Sequence, residues 1–63
     1  MMYYVTKWDS KSMEMVADYG TYEEKDVKLI VRGYKPFKPE FDESKTTMYM
    51  RQNSRYYYEV TEI

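Results

Sequence analysis

The chain has no cysteine and no histidine, only two glycines and two prolines among its 63 residues, and no apolar run near the ~20 residues of a membrane span. Without cysteine there are no disulfides and no thiolate metal sites. Without histidine the commonest imidazole ligand is gone, so a structural zinc is excluded and neither metal nor cofactor is expected. The same absences bear on catalysis. No side chain titrates near neutrality when unperturbed, and there is no thiol nucleophile. Carboxylates, lysines or tyrosines would have to be tuned by burial in a domain with little interior, so a non-enzymatic role is expected.

Charge of either sign is also not in excess: ten Lys or Arg stand against eleven Asp or Glu, a formal net charge of −1. That argues against duplex DNA held by bulk charge and against an acidic DNA mimic. Met1-Met2-Tyr3-Tyr4 lacks the basic and apolar regions of a signal peptide, so a cytoplasmic location without membrane contact is expected. Length sets one domain, residues 1–63, that buries only about 60% of its unfolded surface and draws roughly 3–5 kcal/mol from its core. With the usual staples excluded, a well-packed monomer or, more attractively, a homo-oligomer remains.

What is present is strand-forming and aromatic. Met2 to Asp9 is rich in aromatic and β-branched residues, and a polar break at Asp9-Ser10-Lys11-Ser12 separates it from Met13 to Tyr19. Alternation there would put Met13, Met15, Ala17 and Tyr19 on one face of an antiparallel hairpin, with Glu14 and Asp18 on the other. Gly20 is read as the strand end, and Thr21-Tyr22-Glu23-Glu24 as a capping box opening a helix from Tyr22 to Arg32. Gly33 provides the stop, and Val27, Ile30, Val31 and Tyr34 form its apolar stripe. The competing reading is a strand over Val27–Val31, which is short and β-branched. Pro36 and Pro39 limit the next segment to an edge strand or an ordered loop, tacked to the core by Phe37 and Phe41. Residues 46–51 and 55–63, around a turn at Gln52-Asn53-Ser54, form a second hairpin. The predicted fold is α+β: a small antiparallel sheet of about four strands in the order ββαββ, with one helix on one face.

One helix covers one face, so the other must be solvated or meet a partner. The nine tyrosines bear on this. Tyr3 and Val5 point opposite to Tyr4 and Trp8, and three consecutive positions, Tyr56, Tyr57 and Tyr58, cannot share one core. Tyr provides rigid contact area with a polar tip, suited to a protein interface or to base stacking. The candidate binding residues are therefore Tyr4, Trp8, Tyr49, Arg51, Arg55, Tyr56, Tyr57 and Tyr58. The partner is expected to be a protein, including a second copy of the chain, or a nucleotide-like ligand. The alternative is a single-stranded nucleic-acid module that stacks bases on the C-terminal hairpin beside Arg51 and Arg55.

Two resemblances attach to these residues. Tyr3-Tyr4-Val5-Thr6-Lys7-Trp8-Asp9, Met15-Val16-Ala17-Asp18-Tyr19 and Gly20-Thr21-Tyr22-Glu23-Glu24 resemble the strand, strand, helix run of integrase arm-binding modules over about half the chain. The basic sheet face of that family is missing, so its DNA binding carries over to no residue here. In general style, a Tyr-rich, Cys-free chain ending in Tyr-Tyr-Tyr-Glu-Val is similar to small bacteriophage accessory proteins. That similarity implies an inhibitor acting in the host cytoplasm, masking a host protein or sequestering a nucleotide signal.

Overall fold

A computed structural model describes residues 1–38 and 45–63. Five strands and one helix follow in the order β1 (Met2–Asp9), β2 (Glu14–Glu23), α1 (Glu24–Ile30), β3 (Lys35–Phe37), β4 (Thr46–Met50) and β5 (Tyr56–Glu62). All pairings are antiparallel and the spatial order is β2-β1-β5-β4-β3. The α+β class is as expected, but the sheet has five strands rather than four, and the chain order is ββαβββ. The additional strand is β3. Pro36 cannot donate to a ladder, but β3 is the sheet edge and pairs on one side only, with Met48–Met50 of β4. Phe37 does not tack this segment to the core, being 54% exposed. Phe41 lies outside the described residues.

The core forms where the helix crosses the sheet. Val5 is fully buried, and Val27, Val31, Tyr58 and Val60 close around it, flanked by Tyr3, Tyr22, Ile30, Tyr34 and Tyr49. The predicted stripe thus packs on the core, Val27 and Ile30 from α1 and Val31 and Tyr34 from the C-cap and the turn beyond it, while Leu29 stays outside. The segment Val27–Val31 is helical up to its C-cap at Val31 and not a strand. Gly33 ends the turn at φ +85°, a backbone geometry that glycine takes without a Cβ penalty.

The capping box does not form. Thr21, Tyr22 and Glu23 remain in β2, paired with Tyr4, Tyr3 and Met2, and α1 starts at Glu24 behind Glu23, whose side chain makes no cap. Three further residues of ladder outweigh one side-chain cap of about 1 kcal/mol. At the other end the helix stops at Ile30, short of Arg32. Gly20 is not a strand end either. It sits inside β2 at φ +84°, where the register against β1 shifts between Val5 and Thr6. A second shift falls between Lys7 and Trp8. Each extra residue reverses the alternation. Met15 therefore lies opposite Trp8 while Ala17 lies opposite Lys7, on the other side of the sheet. Met13 belongs to the turn, at φ 61°. The expected single face of Met13, Met15, Ala17 and Tyr19 is thereby divided.

Candidate functional site

The ladders assign each strand residue to one of two faces. Tyr3, Val5, Lys7 and Asp9 of β1 face the helix side together with Tyr56, Tyr58, Val60 and Glu62 of β5. Tyr49 of β4, opposite Tyr58, shares that side. The reverse face, which no described element covers, is built in cross-strand rows. Met15, Trp8 and Tyr57 stand in register across β2, β1 and β5. One step beyond the pair Tyr49–Tyr58 the same row reaches Met50, and through Met50 the Lys35 position of β3. The next row runs Asp18, Thr6, Glu59, Met48 and Phe37, and the next holds Thr21, Tyr4, Thr61 and Thr46.

The open face thus grades from apolar to hydroxylated. Its first row is an aromatic and methionine band four strands wide. In that band Tyr57 is 7% exposed although no described element lies over it, and Trp8 is half-buried. The Trp8 indole N–H donates to Thr6 Oγ1 at 3.0 Å, so the ring lies along the sheet with its polar edge satisfied. Burial, with Glu59 nearby, pushes the Tyr57 hydroxyl pKa up. Met15, Met50 and Phe37 remain substantially exposed around this centre. On the hydroxylated half, the Tyr4 hydroxyl donates to the Asp18 carboxylate at 2.5 Å, and that bond raises the Tyr4 pKa. Thr46 and Thr61 pair through their hydroxyls at 2.9 Å.

The sequence-derived candidates are therefore distributed over three places. Tyr4, Trp8 and Tyr57 lie on the open face. Tyr49, Tyr56 and Tyr58 lie on the helix side, where Tyr58 is a core residue packed edge-on against Tyr34 at 4.9 Å and tilted against Tyr19 at 6.1 Å. Lys7 Nζ lies 4.8 Å from the Tyr56 ring centroid and 5.6 Å from that of Tyr58. Arg51 and Arg55 flank the last turn. Arg51 is exposed, while Arg55 Nε donates to Asp9 Oδ2 at 2.7 Å. Asp9 also accepts from the backbone N–H groups of Lys11 and Ser12 at 2.8 and 3.3 Å, closing the first turn and tying it to β5. The Arg55 guanidinium, aided by those two N–H groups, overcomes the effect of burial and holds the Asp9 carboxyl at about 2.

Met15, Met48, Met50 and Phe37 were not among the candidates, and they complete the open face. Met48 and Met50 alternate in sequence, which showed that they share a face but not which one. Among the described residues no helix is long and apolar enough to cross a membrane. No family model, no curated protein and no solved structure matches the chain.

Proposed function

We propose that this chain is a non-catalytic binding protein whose open sheet face is a protein-docking surface, with a second copy of the chain as its occupant. The observation that carries the reading is the row Met15–Trp8–Tyr57–Met50, an apolar band spanning four strands under no described element. Aromatic and methionine side chains ringed by polar ones are the composition of an interface centre. Area is adequate as well. Five strands about 4.8 Å apart and on average about 20 Å long present roughly 500 Å² per copy, so a sheet-on-sheet pair buries about 1,000 Å², the lower bound of a specific interface. That size fits an association in the micromolar range. It also suits a core of 63 residues with no cysteine to staple it.

Two of the groups with perturbed pKa values, Asp9 and Tyr58, have structural work. Asp9 is held by Arg55 and two backbone donors, and the Tyr58 hydroxyl is raised first by burial in the core. Base stacking on the C-terminal hairpin would need Tyr56, Tyr57 and Tyr58 beside an available Arg55. Yet Tyr57 faces away from Tyr58, both are 7% exposed, and Arg55 is engaged by Asp9.

Light scattering coupled to size-exclusion chromatography tests the reading. A concentration-dependent rise from monomer to dimer mass is expected, together with a blue shift of the fluorescence of Trp8, the only tryptophan. A monomer mass throughout the micromolar range, with unchanged Trp8 emission, would overturn it.

A further inference from the structure

The helix side of the sheet holds a second feature. A cavity of about 280 Å³ opens where α1 passes over the start of β1, the start of β4 and the end of β5. Val27 and Val60, each 4% exposed, form its apolar base, and the half-buried rings of Tyr3 and Tyr49 border it. Three lysines, Lys28, Lys38 and Lys45, line it as well, all of them exposed. They come from α1, the end of β3 and the start of β4, so only the fold brings them together. The two ion pairs among the described residues are Lys25–Glu23 and Arg55–Asp9, and neither uses these lysines. Two carboxylates, Glu24 and Glu62, share the lining.

Three ammonium groups that make no ion pair among the described residues, lining one cavity beside aromatic rings and an apolar base, have the chemistry of a phosphate site with a stacking platform. The carboxylates complement the remainder of such a ligand, since they accept hydrogen bonds from ring amines and sugar hydroxyls. Among the described residues the lining carries three positive and two negative charges, which favours a single phosphate monoester over a polyphosphate. Volume sets the size. Small-molecule pockets start at about 300 Å³, so the cavity takes one nucleotide and not several.

We propose that this cavity binds a nucleoside monophosphate, its phosphate on Lys28, Lys38 and Lys45 and its base against Tyr3 and Tyr49. The site lies on the opposite side of the sheet from the docking face and stands or falls separately from it.

Isothermal titration calorimetry on the full chain tests this with the four common nucleoside 5′-monophosphates, the matching nucleosides, inorganic phosphate and a 5′-phosphorylated oligonucleotide. At least one monophosphate is expected to bind below about 1 mM and about tenfold more tightly than its nucleoside or phosphate alone. The double variant Lys28→Glu/Lys45→Glu should lose at least about tenfold in affinity with an unchanged circular dichroism spectrum. Tyr49→Ala should weaken the monophosphate and leave phosphate unchanged, and Lys11→Glu, a charge reversal in the exposed first turn away from the cavity, should leave both unchanged. Failure of all four monophosphates to bind at millimolar concentration would overturn the proposal. So would equal affinity for phosphate alone, tighter binding of the oligonucleotide than of the monophosphate, or insensitivity to the lysine reversal.

Discussion

Tyr57 and Tyr58 are neighbours in sequence and equally buried, at 7% exposure each, yet they lie on opposite sides of one sheet in different surroundings. Tyr58 belongs to a core completed by the helix, with Val5, Val27, Val31 and Val60 around it. Tyr57 is enclosed on a face that no described element covers, in a row with Trp8 and Met15. The helix side has its covering within the chain, and the open side has the composition of a core without the cover. Residues on the first should govern folding, and exposed residues on the second should govern association.

The largest expected effect breaks the helix side. Val5→Ala removes packing from the one completely buried side chain among the described residues and should cost about 2 kcal/mol, or about 10 °C in Tm by thermal circular dichroism. Against a total of roughly 3–5 kcal/mol, about 1–3 kcal/mol would remain, so up to roughly one molecule in six would be unfolded before any heating.

A smaller loss, about 1 kcal/mol in urea unfolding, is expected for Gly20→Ala. The space around Gly20 is free of other atoms, so the cost arises from placing an L-residue at φ +84°. The bulge at Gly20 helps set which β2 side chains reach each face. Measured as a change in Trp8 emission, this variant therefore also tests whether the two faces depend on it.

Asp9→Asn sharpens the division at the end of the sheet where both hairpins meet. The native carboxyl titrates at about 2, below the ~3.9 of an unfolded chain, so its stabilising contribution is full above pH 4 and is lost as pH falls towards 2. Wild type should lose Tm over that interval, and the Asn variant, already lower at pH 7, should lose less. Equal slopes would show that the Arg55 pair contributes nothing.

The smallest change in stability belongs to the open face. Phe37→Ser with Met50→Ser should alter unfolding by about 0.5 kcal/mol or less, since both side chains are already exposed, while abolishing the dimer in light scattering. A destabilisation like that of Val5→Ala would erase the distinction between the faces.

Local patterns identified much of this fold. The extent of β1 and the apolar stripe Val27, Ile30, Val31 and Tyr34 follow from side-chain type and spacing over a few residues, whereas the helix ends at Ile30, three residues before the Gly33 read as its stop. Competition between local and distant partners decided the rest. The capping box at Thr21–Glu24 is a valid local signal, but it yields to a ladder with Met2–Tyr4 that exists only once β1 lies alongside. β3 depends on which strand is at the edge. The bulges that divide Met15 from Ala17 depend on how β2 fits a twisted neighbour. The same limit applied to the candidate residues. Tyrosine on alternating strand positions pointed to two burial surfaces, but Arg55 looked available because Asp9, its partner, is 46 positions away.

The position of β5 between β1 and β4 sets a timetable for the chain. During synthesis β1 and β2 can close as a hairpin within microseconds, on the order of 1–10 μs. The other neighbour of β1 does not yet exist. At ~5–20 residues per second, the interval from Asp9 to Tyr56 lasts several seconds. Throughout it, one edge of β1 is unpaired and Val5 has no Val60 opposite it. Two bulges already roughen the outer edge of β2, leaving the inner edge of β1 as the more template-like of the two. The sheet order therefore leaves the inner edge of β1 as an open strand template until β5 pairs with it.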